Sequence, residues 1–150
     1  DQIDLIDDPE LYPLHADFLS RLALSFTQGE YVRLADSEKI AEKLYCKALE
    51  YHPVPRAYLG LGMIRQKHRA FAESIEVLAE GVKRFPDDEQ INLCLGISYM
   101  YLGRFNKALS LLLKFQHSPQ VLDFIAACYR ELNDREGEAN TLKKMRKYQE

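Results

Sequence analysis

The sequence predicts an all-α fold, an array of about four antiparallel helix hairpins. Three observations predict it: the sequence matches itself under a fixed shift, apolar residues recur at helical spacing on both sides of a polar break, and Pro or Gly stands at the breaks. A shift of 34 residues lays Leu59 on Leu93, Leu61 on Leu95, Gly62 on Gly96, Phe71 on Phe105 and Leu78 on Leu112. A further shift of 30 carries Leu95 to Ile125, Gly96 to Ala126, Tyr99 to Tyr129 and Leu112 to Leu142, while Phe105 falls on Arg135, so the third unit is four residues short. Backwards, a shift of 33 takes Gly81 to Ala48 and Pro86 to Pro53, which places a first unit before Val54.

In chain order, residues 1–12 read as an acidic linker or arm, with four acids among the first nine residues. Residues 13–150 read as the repeat array, with units at 14–54, 55–88, 89–118 and 119–150. Leu14, Phe18, Leu22 and Phe26 share one stripe of a first helix over 13–28, and Gly29-Glu30-Tyr31 makes a turn. The matched second helix starts only at Ser37, so residues 31–36 either lengthen a helix or form a protruding loop. The second unit is a helix over 55–68 followed by one over 71–85. Pro55 suits a first helical turn because its missing N–H would have no partner there, and Pro86 follows the end. In the third unit Gly103 marks the turn and Ser118-Pro119 ends one helix while opening the next. The last helix, over 135–148, carries Lys143, Lys144, Arg146 and Lys147 beside Ala139, Leu142 and Met145, a pattern suited to a solvated capping helix whose basic end complements the helix dipole. Small residues at Gly62, Gly96 and Ala126 permit close approach of the paired helix.

Tyr58-x-x-Leu61-Gly62, the turn ending in Phe71, Ser74, Gly81 and Pro86 resemble the tetratricopeptide repeat. Leu95-Gly96-x-x-Tyr99, Gly103-x-Phe105 and Ala108 repeat that pattern, and Ala41, Tyr45, Ala48 and Pro53 match its second helix. The resemblance covers residues 14–148, with Asn92, Arg65 and Phe115 standing where the family favours a large aromatic, Tyr and Ala. It implies a right-handed superhelical α-solenoid whose first helices line a concave wall, and a protein-binding scaffold as the function.

A net charge of −3 gives no field that would gather polyanions, so neither nucleic acid nor an anionic membrane is an expected partner. Ile91 to Leu102, the most hydrophobic stretch, is too short and too interrupted to span a bilayer. Cys46, Cys94 and Cys128 are odd in number and widely spaced, which fits a reducing compartment, and a cytoplasmic location is the expectation. The chain begins at Asp1 instead of Met, which fits a processed product or a piece of a longer protein. His15, His52, His68 and His117 fall at turns and helix ends without ligand spacing, and solvated surface positions are the expectation for them. Gly60-Leu61-Gly62 lies inside a helix instead of after a strand, so it reads as packing glycines and not as a dinucleotide loop. The cluster Arg65, Lys67, His68 and Arg69 reads as a solvated turn. Cys94 and Cys128 read as packing residues, with no nearby His or helix N-terminus to activate them. No catalytic, cofactor or metal residues are expected.

The repeat shift also predicts the binding wall. Leu59, Met63 and Gln66 share a face distinct from Tyr58, Leu61 and Gly62. The shift lays Leu93, Ile97 and Met100 beside them, then Asp123, Ala127 and Arg130, with Cys94, Tyr101 and Phe124 alongside. The helix from Gln90 to Leu102 is apolar almost all round, which predicts that something covers its second face: a partner's apolar segment or amphipathic helix, the chain's own arm or neighbouring unit, or a second copy. The Lys, Asn and Arg set with which the family clamps acidic C-termini is replaced here by Leu, Met, Ile and Tyr. The expected function is therefore a non-catalytic interaction scaffold with an apolar groove; an accessory segment of a larger enzyme and a homo-oligomerisation module are the alternatives.

Overall fold

The computed structural model describes residues 8–29, 31 and 33–149. Residues 1–7 of the expected acidic arm, and Glu30 and Val32 of the first turn, lie outside the described residues. Among the described residues a short 3-10 turn, Pro9–Leu11, precedes eight helices: α1 Tyr12–Thr27, α2 Ser37–Tyr51, α3 Pro55–Lys67, α4 Phe71–Arg84, α5 Glu89–Tyr101, α6 Phe105–Leu112, α7 Pro119–Glu131 and α8 Arg135–Lys147. The described residues form no strand. Helices pair as α1–α2, α3–α4, α5–α6 and α7–α8, and each pair packs on the next through α2–α3, α4–α5 and α6–α7.

The hairpin turns share one backbone device. Asp36, Arg69, Gly103 and Asn133 all take left-handed φ, at 58°, 60°, 74° and 58°, and their spacings reproduce the repeat shifts of 33, 34 and 30. In the last three turns the next amide reaches back to the carbonyl five residues earlier. Ala70 donates to Arg65, Arg104 to Tyr99 and Asp134 to Tyr129, each at 2.9 Å, closing the first helix as a Schellman-type end. Only one of the four positions is glycine, so the repeat register and not glycine itself marks the turn. Asp88 and Asp134 then start α5 and α8 by accepting from the amides of Ile91 (3.0 Å) and Gly137 (2.9 Å). The described part of 31–36 is a run of turns instead of a longer helix: Leu34 N donates to Tyr31 O at 3.1 Å and Ser37 N to Leu34 O at 3.2 Å.

The third unit is short because α6 stops at Leu112 and tightens into a 3-10 turn, Leu113–Phe115, before Ser118 opens α7. Within hairpins the small residues do what their positions predict. A Cβ on Gly62 would lie 2.4 Å from the Leu78 side chain, one on Gly96 would lie 3.0 Å from Leu112, and Ala126 is buried. Gly81 lets α4 approach Tyr58 of its own hairpin and Ile91 of the next unit, where a Cβ would come within 2.9 and 3.3 Å. The solvated expectation fails for His15, whose ring stands edge-on to Tyr51 at 4.6 Å.

Candidate functional site

First helices touch one another, α1 with α3, α3 with α5 and α5 with α7, whereas among the described residues no two second helices pack more than marginally. The array therefore narrows on the side of the first helices, and that side is the inner face. A cleft of about 500 Å³ opens there between the C-terminal end of α1, the start of α2 and one face of α3. Its apolar lining is Leu24 and Phe26 from α1 and Leu59, Met63 and Ile64 from α3, with Tyr45 of α2 and Gly60 also on its wall. Gly60 is what lets the buried Tyr45 ring lie against α3, since a Cβ there would come 2.2 Å from the ring. Burial raises the Tyr45 phenol above its ordinary value, opposed by a hydrogen bond with Thr27.

Charge at the rim is paired. Lys67 Nζ donates to Glu38 at 2.8 Å, His68 meets the other oxygen of the same carboxylate, and Arg56 bonds Asp17 at 3.3 Å. Hydrogen bonds from Lys67 and His68 hold the Glu38 carboxyl below its ordinary value. Arg65 is likewise tied to Glu42, and to Glu73 at 3.6 Å. Three members of the basic cluster of the second turn are thus matched by acids from α2 and α4, while Arg69 lies over the rings of Phe71 and Tyr101 at 5.7 and 5.9 Å.

The expected wall residues separate into three groups. Leu59 and Met63 line the cleft, and Met63 is 44% exposed. Leu93 and Cys94 are only 4% and 6% exposed and sit in the chain's own core clusters; a partner cannot reach them while the units stay stacked. The physical reason is that α5 packs against α3, α4, α6 and α7, so units on both sides of it consume its all-round apolar surface. Ile97, Met100 and Phe124 are half-buried against the same cluster as Leu93, and Ala127 is half-buried. The third group is engaged in polar or ring contacts with neighbouring helices. Gln66 Nε2 donates to Cys94 O and Ser98 Oγ, both at 2.7 Å; Tyr101, 60% exposed, stacks on Phe71 at 4.4 Å; and Arg130 donates to Glu138 at 2.8 Å.

Two features escaped sequence reasoning. Leu24 and Phe26 reach the cleft from α1, which the repeat shift did not align with the wall because the first turn carries extra residues. A buried polar joint also crosses units: Ser74 Oγ donates to Gly62 O at 3.0 Å and lies 3.0 Å from Ser98 Oγ, which Gln66 reaches from α3.

Burial pushes the Cys94 thiol up to about 12 and that of Cys128 to about 11, so neither supplies a thiolate near neutral pH. Above the ordinary thiol value of 9.0, unfolded thiols release protons that the folded ones keep. Stability should therefore fall as pH rises from 9.0 towards about 12, with Tyr45 acting in the same direction. Denaturant titrations across this range should show a shallower fall for the Cys94→Ala, Cys128→Ala double variant; an unchanged slope would contradict the assignment. Among the described residues, no group of three His, Cys, Asp or Glu is placed to hold a metal ion, and no helix is long and apolar enough to cross a membrane.

No protein-family model and no curated protein matches the chain. Solved structures do. MamA D159K mutant 2 superposes with a TM-score of 0.71 at 16% identity, covering 98% of this chain and 76% of that one. The MamA RS-1 ArsTM double mutant also gives 0.71 at 16% identity, covering 94% of this chain and 85% of that one. MamA AMB-1 in its P212121 form gives 0.69 at 18% identity, covering 88% and 72%. At such identities the likeness is one of fold, and the fold of this chain is the tetratricopeptide-type array of stacked hairpins.

Proposed function

We propose that the chain is a non-catalytic scaffold that holds an apolar protein segment in the inner-face cleft between α1 and α3. The observation that carries this reading is the cleft itself, about 500 Å³, lined by Leu24, Phe26, Leu59, Met63 and Ile64, and rimmed by Arg56, Lys67 and Glu38. Its size suits a few side chains of a peptide, and its polar rim can orient the backbone that carries them. Burying each apolar side chain contributes roughly 1.5–3 kcal/mol before ordering costs, so two or three suffice for micromolar affinity. Met63 supplies an adaptable, polarizable contact at the centre of the α3 face. Beyond the cleft, Ile97 and Ala127 stand where the repeat shifts carry Met63 and continue the same wall, with Gln66 fixed as a joint between units.

A displayed library of short random peptides, panned against the whole chain, tests the reading. The expected enrichment is for segments with closely spaced apolar residues, and Met63→Glu should weaken the enriched peptides at least about tenfold, near 1.4 kcal/mol, with the helical spectrum unchanged. Enrichment indifferent to Met63→Glu would overturn the cleft assignment.

A further inference from the structure

We propose that the open apolar face of α1 joins two copies of this chain in an antiparallel, two-fold α1–α1 contact. Burial aligns the four first helices. Tyr58, Leu61 and Gly62 of α3 face its hairpin partner, as do Asn92, Leu95 and Gly96 of α5, Leu122, Ile125 and Ala126 of α7, and Ala16, Leu19 and Ser20 of α1; all twelve are buried. One step round each helix lies a second set that meets the preceding unit. It comprises Ala57, Gly60 and Ile64 on α3, Ile91, Cys94 and Ser98 on α5, and Val121, Phe124 and Cys128 on α7, all buried or half-buried. On α1 the matching places hold His15 and Leu22, both half-buried, and Phe18, which is 57% exposed, with Leu14 at 69% and Leu11 at 47% beside it. The face that seats a helix three times within the array is thus apolar and open on α1, which makes a further helix its natural occupant by continuity with those internal contacts.

The occupant is a second α1 because the stripe complements itself. Leu11, Leu14 and Phe18 are spaced so that an antiparallel partner lays Leu14 on Phe18 about an axis near residue 16, with Leu11 meeting the outer edge of Leu22, which is half-buried against the chain's own core. The same rotation carries the acidic end of one stripe, Asp8 and Glu10, towards Arg21 of the other. The opposite end of the array does not compete. Exposed Lys143, Lys144, Arg146 and Lys147 make α8 a poor seat for an apolar helix, so the contact closes as a pair instead of growing head to tail.

Light scattering on the full chain across a dilution series should show a mass rising from 17.4 kDa towards twice that value. Phe18→Glu should remain at the single-chain mass throughout, with an unchanged helical spectrum and unchanged binding of the peptides whose binding Met63→Glu weakens. To locate the contact, chains carrying Leu14→Cys and chains carrying Phe18→Cys, both with Cys46→Ser, are mixed under mild oxidation. The mixed disulfide should form several-fold faster than either homodisulfide. A single-chain mass at every concentration, a dimer insensitive to Phe18→Glu, or no preference for the mixed disulfide would each overturn the proposal.

Discussion

Replacing Gly62 with Leu should lower the stability of the chain by about 3 kcal/mol or more and its Tm by roughly 6–12 °C. Leu78 fills the space beside Gly62 and is fully buried, so even the first added carbon would lie 2.4 and 2.5 Å from two of its atoms. Relief requires α3 and α4 to separate, and that separation also breaks the Ser74 bond to Gly62 O. Gly96→Leu should cost less, because the corresponding Cβ stands 3.0 Å from the far end of Leu112. Shrinking the partner separates crowding from helix propensity. Leu78→Ala alone should cost about 2–5 kcal/mol, yet in combination with Gly62→Leu the loss should fall short of the sum by about 1–3 kcal/mol. Denaturant titrations of the four proteins measure this, and strict additivity would contradict the contact.

Ser98→Val should be the second large loss, about 2–4 kcal/mol. The single hydroxyl proton of Ser74 goes to Gly62 O, so Ser98 donates to Ser74 while accepting from the Gln66 amide. Valine is close to serine in size but offers neither function, so buried Ser74 and half-buried Gln66 each lose one of their two hydrogen bonds. The joint ties α3 and α4 of one unit to α5 of the next, so its loss should loosen the stacking of units while each hairpin stays intact. Hydrogen exchange in Ser98→Val should accelerate first at the α3–α5 boundary. A cycle of Ser98→Ala with Gln66→Leu should give a coupling of about 0.5–3 kcal/mol, and independent effects would show that the joint has no energetic reality.

Helix order, hairpin pairing and the packing role of Gly62 and Gly96 were legible because each rests on period and size, which a repeated sequence states several times over. The first unit was less legible. Its turn lies among extra residues, and α1 matches α3 in burial more plainly than in residue type. The wall was legible only in part, for a reason visible in α5. Apolarity all round a helix reports that something covers it but not what, and Leu93 and Cys94 are covered by the array itself. Helical spacing put Gln66 on the expected wall but could not reveal that its amide is committed to Cys94 O and Ser98. Gly60 was read as a packing glycine, and the structure adds that the ring it accommodates belongs to Tyr45, behind the cleft.

The chain has three methionines, and they stand in three different settings. Met63 lies in the cleft, Met100 is half-buried among α5 to α7, and Met145 is half-buried on α8. Methyl-labelled methionine spectra, recorded while an enriched apolar peptide is titrated in, therefore report directly on where the chain binds. Movement of the Met63 methyl, with Met100 and Met145 left in place, is the predicted result; a still Met63 with movement at either of the others would contradict an inner-face site between α1 and α3.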